Sequence, residues 1–395
     1  NATTDDDGLA TFTSGITGGP VDITVSGAAL RNTSWLGVNG ENVTIPVLTA
    51  SSSVAGNGQL HVSIDASQFT VHSGNFLNVF ASFSEAEGSL SQPGDALVES
   101  NVVRCTTQFS LGVPSCAQAF NIEAPPGTRA VLATLVEMEP GSGIGGASVV
   151  GGAGYAIAED VTVTTGQTSN VTLAPVVATD TASVTFPVVA PTGFGINASF
   201  VNLDLGATDG IAGSTFPLLF GQTTSELVPA LDDAAVLASA TAPTYEVVGL
   251  LAENGPQSVG LSASFTYALD DVSAFTLPGW LFPPTAIEVA DGGLTITYAP
   301  PNNGVSTQAT SFQTVDVKNG GDRDVNATVW SVVVLDGRTT IALPASAPNP
   351  IGAGTDGVRV TAAVVPGFDA QSFDLPAASR ALSLVSTDGV TFTKN

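Results

Sequence analysis

His61 and His72 are the only imidazoles in the chain, and a turn signal at Asp65 to Gln68 lies between them. Written as a hairpin, Val62 pairs with Val71 and Ile64 with Phe69 on one face. That leaves His61 opposite His72 on the other face. Two cross-strand imidazoles are half of a Zn or Ni site, but a third ligand is needed, and Asp65 sits on the wrong part of the hairpin. The alternative is two solvent-facing rings. Paired carboxylates occur at Glu137 and Glu139, on one face of a strand, and at Asp232-Asp233 and Asp270-Asp271. Glycosidases set two carboxylates across a cleft. In a chain of net charge −26, however, acidic pairs read as solvated edge residues. Serine chemistry lacks its frame, because Gly-x-Ser-x-Gly and Ser-x-x-Lys are both absent. The chain reads as a non-enzyme.

Oxygen-rich loops suit a hard cation. Asp322-Arg-Asp324-Val-Asn326 alternates oxygens like the start of an EF-hand loop, but Ala327 replaces the required Gly and Val333 stands where the bidentate Glu belongs. Asp5-Asp6-Asp7-Gly8 reads as a solvated N-terminal arm. No cofactor is expected, with a structural calcium in some other loop left open. Cys105 and Cys116 are the only cysteines, and a close pair in a Thr-rich chain suits one disulfide in an oxidising compartment. Two free buried thiols are the other reading. Lys318 and Lys394 are the only lysines. Read as a tight-turn residue and a terminal residue, they give no basis for an isopeptide crosslink. Trp35, Trp280 and Trp330 are the only indoles available for a sugar platform. Trp330 has the position of a core residue, Trp280 packs an apolar joint, and Trp35 is the one expected at the surface. Sequons at Asn1, Asn32, Asn42, Asn170, Asn197 and Asn326 permit glycosylation.

These groups must be positioned by a chain of 395 residues with 43% apolar but only 11% charged residues. Thr, Ser, Asn, Gly and Ala therefore build the surface. Little desolvation of ions opposes contact between such surfaces, which favours association. Nine scattered cations against 35 acids offer no basic patch, so nucleic acid is not an expected partner. No apolar run is long enough for a transmembrane segment. A first residue of Asn rather than Met fits signal-peptide removal, and hence an extracellular or cell-surface location.

Alternating β-branched segments between Gly, Pro, Asn and Asp recur throughout, which predicts an all-β protein of tandem β-sandwich domains. Pro and Gly clusters near residues 93, 178 and 283 divide the chain into four units. Residues 1–93 form a sandwich with an N-terminal arm, 94–178 a unit with the cysteine hairpin, 179–283 a third sandwich and 284–395 a fourth; a three-domain partition is the alternative. Short helical turns are expected at 232–238 and 376–384. In the last unit, Asn319-Gly320 is predicted to join strands running from Phe312 to Lys318 and from Arg323 onward. Asp336-Gly337 is predicted to return Trp330 to Leu335 as Arg338 to Leu343, and both dipeptides suit primed turns. Gly-rich 141–146 and 151–154 lack the following helix of a phosphate loop, since Tyr155 onward reads as strand.

The stretch from Arg104 to Val177 resembles a unit of bacterial secreted proteins with tandem immunoglobulin-like domains. Its marks are Cys105-Thr-Thr closed by Cys116, then Ala124-Pro125-Pro126-Gly127-Thr128, the strand from Ala130 to Glu137, and Val161-Thr-Val-Thr-Thr-Gly166 through Leu173. The resemblance implies extracellular β-sandwich modules and a Cys105 to Cys116 bridge, with no activity. From Thr285 onward, Trp330-Ser-Val-Val-Val-Leu-Asp-Gly and the later strands are similar to fibronectin-III-like modules of bacterial surface proteins. The expected function is a structural subunit or decoration of an extracellular filament, sheath or surface layer, with self-association or other surface proteins as partners. Asp7 to Ile16 could add as a strand to a neighbour. The alternative is an adhesin that binds glycan or protein.

Overall fold

The computed structural model describes residues 10, 18–27, 30–39, 43, 45, 58–65, 69, 72–83, 103–105, 117–124, 127–140, 147–174, 181–204, 211–215, 223–229, 244–254, 260–268, 276–301, 310–319, 328–370, 378 and 381–394. Their elements are β-strands. An antiparallel pair opens the series, β1 (Val21–Val25) and β2 (Asn32–Val38). Seven strands follow: β3 (Gly58–Asp65), β4 (Phe76–Phe83), β5 (Val103–Cys105), β6 (Ala117–Ala124), β7 (Gly127–Pro140), β8 (Ala147–Val163) and β9 (Thr168–Leu173). Next come β10 (Thr181–Pro187), β11 (Phe194–Asp204), β12 (Ile211–Thr215), β13 (Thr223–Pro229), β14 (Thr244–Glu253) and β15 (Leu261–Ala268). The chain closes with β16 (Thr285–Ala290), β17 (Thr295–Ala299), β18 (Phe312–Asn319), β19 (Thr328–Val334), β20 (Thr340–Ala342), β21 (Gly354–Val364) and β22 (Leu384–Lys394). The all-β expectation holds. Among the described residues no helix is long and apolar enough to cross a membrane. Residues 232–238 lie outside the described set; of 376–384, residues 378 and 381–384 are described, and among these Ala378 has helical backbone.

Strands β3 to β9 form two facing layers, with order β6-β3-β9 in one and β5-β4-β7-β8 in the other. The reason is strict alternation. In β3 the side chains of Leu60, Val62 and Ile64 point inward while Gln59, His61, Ser63 and Asp65 point outward, the period-2 signature of a half-buried strand. Their partners across the core are Leu77 of β4, Val131, Ala133 and Leu135 of β7, and Ala156 and Val163 of β8, with Val171 and Leu173 of β9 closing one side.

The hairpin expected around Asp65 to Gln68 does not form. The neighbours of β3 are β6, antiparallel, and β9, parallel. After Asp65 the chain instead crosses to the opposite layer. Phe69 is buried in the core between the layers, and β4 runs on the far side. One buried aromatic thus outweighs local turn chemistry.

The second assembly is a ten-stranded sheet ordered β1-β2-β19-β18-β21-β22-β15-β14-β11-β12. Sequence-remote strands meet at two seams, β2 parallel to β19 and β15 antiparallel to β22. Hydrogen bonding thus crosses the expected boundaries near 93 and 283. The central strands are covered on both faces, so polar residues such as Gln313 and Thr314 of β18 and Ser386 and Thr387 of β22 are buried along with the apolar ones. On one face Leu36, Val315, Val317, Trp330, Val332, Val358 and Val360 pack against Ile296 and Tyr298 of β17 and Ile341 of β20, in the three-stranded sheet β16-β17-β20. On the other, Trp35, Phe312, Val333, Ala363 and Val385 form a separate core.

The expected meander of the last unit is half right. β18 and β19 are antiparallel neighbours, with Val317 opposite Trp330. However, β18 ends at Asn319 and β19 begins at Thr328, so residues 320–327, outside the described set, separate them in place of a two-residue turn. Asp336-Gly337 does not fold β20 back onto β19. β20 pairs with β17, because Ile341 completes the facing core and the chain changes layers at that point.

At the β15–β22 seam the apolar stretch 277–284 lies across the joint. Ser262 and Ser386 donate to the carbonyls of Leu281 and Phe282, at 2.8 Å and 2.9 Å. Trp280 donates through Nε1 to Val189 O at 3.0 Å, and its ring rests on Gly249 of β14. A Cβ at Gly249 would meet Leu277 Cδ1 at 2.6 Å and Trp280 Cη2 at 2.8 Å. Gly249→Ala should therefore destabilise by about 1–3 kcal/mol through overpacking. The check is the midpoint of urea unfolding, with an unchanged midpoint counting against this packing.

Candidate functional site

The two histidines occupy different layers. His61, on the outer face of β3, lies between Asn121 of β6 and Asn170 of β9, and its Nδ1 is 2.8 Å from Asn121 Oδ1. His72 lies in the turn before β4. The expected facing pair is therefore absent, and among the described residues no group of three His, Cys, Asp or Glu could hold a metal. Asp322 to Asn326, Asp5 to Gly8, Asp232-Asp233 and Asp270-Asp271 lie outside the described residues.

Glu137 holds the turn that contains His72. Its Oε1 accepts from the His72 backbone N–H at 2.8 Å and from Asn75 Nδ2 at 2.7 Å, and both carboxylate oxygens are 3.0 Å from His72 Nδ1. Burial pushes this carboxyl up, but the hydrogen bonds from His72 and Asn75 outweigh it and hold Glu137 below the ordinary carboxylate range. A glycosidase proton donor needs the opposite shift. Its expected partner, Glu139, is exposed. The pair reads as a turn clamp and a surface acid.

The indoles offer no platform. Trp35 is 2% exposed, Trp280 5% and Trp330 0%. Trp35, expected at the surface, is instead covered because β2 lies inside the sheet with a core on each face. Of the sequons, Asn170 is exposed on β9, whereas Asn32 is 3% exposed and donates through Nδ2 to Pro348 O at 2.9 Å. Asn32 is thereby closed to glycan in the folded chain. Asn1, Asn42 and Asn326 lie outside the described residues; Asn197 falls in β11. Cys105 ends β5 and Cys116 lies outside the described residues, as does the proposed bridge.

Sequence reasoning missed the seam where the N-terminal hairpin meets β19. Five backbone partners, Asn32 to Leu36 against Trp330 to Val334, run in parallel, and the pairing continues as Leu335 N–H donates to Leu36 O at 2.9 Å. The buried indole N–H of Trp330 donates to Ser34 Oγ at 3.0 Å. At the far end Arg338 grips two carboxylates. Nη1 and Nη2 reach both oxygens of Asp22 on β1 at 2.7 Å and 2.8 Å, while Nε and Nη2 hold Asp336. Asp22 Oδ1 also accepts from Gly37 N–H at 3.0 Å. At Gly37, φ is +78° and a Cβ would stand 2.6 Å from Asp336 Cβ, so only Gly fits. Hydrogen bonds from Arg338 hold the Asp336 carboxyl below its usual range, and the bonds that Arg338 donates to Asp336 and Asp22 push the guanidinium up. Such half-exposed pairs stabilise little singly, but the bidentate geometry fixes orientation. No motif marks this clamp, because Asp22 and Arg338 are 316 residues apart.

Lys318 also departs from expectation. It lies within β18 rather than in a tight turn, and is 2% exposed. Alternation puts Asn319, and Asp356 opposite it, on the other face of the sheet. On the Lys318 face lie Asp316 and, directly across, Arg359. Burial pushes the Arg31 guanidinium down, and the charge of Asp316 opposes that shift. Asp316 Oδ1 accepts from Ser331 Oγ at 2.7 Å. This cluster lies inside the sheet.

Because Glu137 has its acidity strengthened on folding, its contribution is present above the unfolded carboxyl range, roughly pH 4, and is lost as pH falls through its lower folded value. Glu137→Gln should destabilise by about 1–3 kcal/mol at pH 7. The difference from wild type should be smaller at about pH 3 than at pH 7. Urea midpoints for both proteins at the two pH values check this, and a gap that persists undiminished in acid would remove the charge from the argument.

No protein-family model matches the chain, and no curated protein matches its sequence.

Proposed function

We propose that the chain is a non-enzymatic structural subunit or decoration of an extracellular assembly, built from immunoglobulin-like and fibronectin-III-like sandwiches. One observation carries the reading. β1 ends the ten-stranded sheet and pairs with β2 alone among the described strands, presenting Val21-Asp22-Ile23-Thr24-Val25 at its edge. Natural sheets guard such edges with Lys, Pro or inward charges. Here the strand contains no Lys or Pro, and its one charge, Asp22, is taken up by Arg338. An edge of this kind, on a chain with only 11% charged residues, favours addition of a neighbour with little ion desolvation.

The competing reading is an adhesin. It is weakened by the burial of all three tryptophans, the side chains best suited to stack on sugar rings. Negative-stain microscopy and light scattering of the purified protein over a concentration series should show ordered polymers, with no hits on a glycan array. A particle that stays monomeric at every concentration, together with a specific glycan hit, would replace the assembly reading with the adhesin.

A further inference from the structure

We infer that the N-terminal β1–β2 hairpin is an exchangeable plug, and that the slot beside β19 accepts the same hairpin from a second copy of the chain. The inference rests on the assembly reading and names its linkage.

The hairpin belongs in space to a core that is otherwise remote in sequence. Apart from Leu36, the residues of the core around Trp330, with those packed against it, all come from 287–392. Across the sheet, Trp35 and Val38 join Phe312, Val333, Leu335, Ala363, Val365 and Val385. Val43 and Ile45 pack against this same second core, so the docked element runs from β1 to Ile45. At Gly58 the chain re-enters the other, separately cored sandwich. Residues 46–57, outside the described set, connect the two, and their contour reaches about 40 Å at most.

The slot cannot stand empty without cost. Losing β2 would bare the edge of β19 and the flanks of Trp330, Val332 and Val334, and would strip the buried indole N–H of its acceptor, Ser34. A hairpin from another copy restores every one of these bonds, as well as Asn32 to Pro348 and Asp22 to Arg338. Closed and exchanged forms therefore share one set of contacts and differ in the connection and in concentration. A short connection holds its own hairpin at an effective concentration on the order of millimolar. Closure within one chain thus dominates in dilute solution, and exchange dominates at the densities of a packed layer or filament.

The parallel register makes the test direct. Thr33 lies beside Ser331. Chains carrying Thr33→Cys are mixed with differently sized chains carrying Ser331→Cys, unfolded, refolded together at rising concentration and oxidised. The expected result is a covalent heterodimer that increases with concentration. It should stay at least tenfold above two controls: wild type, which retains Cys105 and Cys116, and Thr33→Cys mixed with Thr340→Cys, whose residue lies in the facing sheet. A heterodimer no higher than the controls at any concentration overturns the inference. A second pair guards against misfolding of the buried cysteine variants. Asp22→Arg sets two arginines against each other within one chain, and Arg338→Asp does the same with carboxylates. In an exchanged dimer of the two variants, one hairpin carries Arg to Asp and the other remains native. Refolding them together should yield a dimer that neither variant forms alone; monomers only would count against exchange. Polymers in micrographs without a heterodimer would remove hairpin exchange and leave the assembly reading. A heterodimer without polymers would support exchange and remove that reading.

Discussion

β2 is buried along its whole length, because it has a strand on each edge and a core on each face. That placement sets the terms for much of the ten-stranded sheet. It lets Trp330 lie fully buried, since Ser34 supplies the acceptor that an interior indole N–H requires. It also puts Trp35 on the opposite face, so that neighbouring residues in one short strand feed two different cores. The close approach of Gly37 to Asp336 follows from the same docking, as does the reach of Arg338 to Asp22.

Charge is scarce in this protein, and the charges that can be followed are used for internal fastening. Arg338 closes the end of the hairpin, Lys394 donates to Ile351 O at 2.7 Å, and Arg31, Lys318 and Arg359 gather around Asp316 on one face of β18 and its neighbours. Glu137 does the equivalent work in the other sandwich by holding the turn from His72 to Asn75. Among the described residues, Lys318 and Arg359 are buried, and the remaining surface of such a weakly charged chain is built largely of neutral polar groups. Such a surface can approach another copy without first stripping water from many ions.

The two assemblies solve burial differently. The sandwich built from β3 to β9 buries one face per sheet, so its strands alternate and its outer row, such as Asn121, His61 and Asn170, stays polar. The large sheet buries both faces at its centre, and some of the hydroxyls there find carbonyls. Ser262 and Ser386 do so by holding the stretch 277–284 over the seam between β15 and β22.

The sequence by itself determined the class of structure. Period-2 alternation marked β3, and the patterned segment from Phe312 to Lys318 and the one containing Trp330 marked two antiparallel neighbours. Tyr155 onward read correctly as strand, although β8 begins earlier, at Ala147, and takes in Gly151 to Gly154. Alternation, however, states which side chains share a face and says nothing about which strand lies alongside. The choice of β19 for β2, of β9 for β3 and of β17 for β20 was made by the filling of cores, through Trp330, Phe69 and Ile341. For the same reason His61 and His72, neighbours on a drawn hairpin, ended in different layers, and Asp22 and Arg338, which no motif connects, became partners. Local chemistry sets the conformation of each segment, whereas burial of large side chains across the whole chain decides which segments meet.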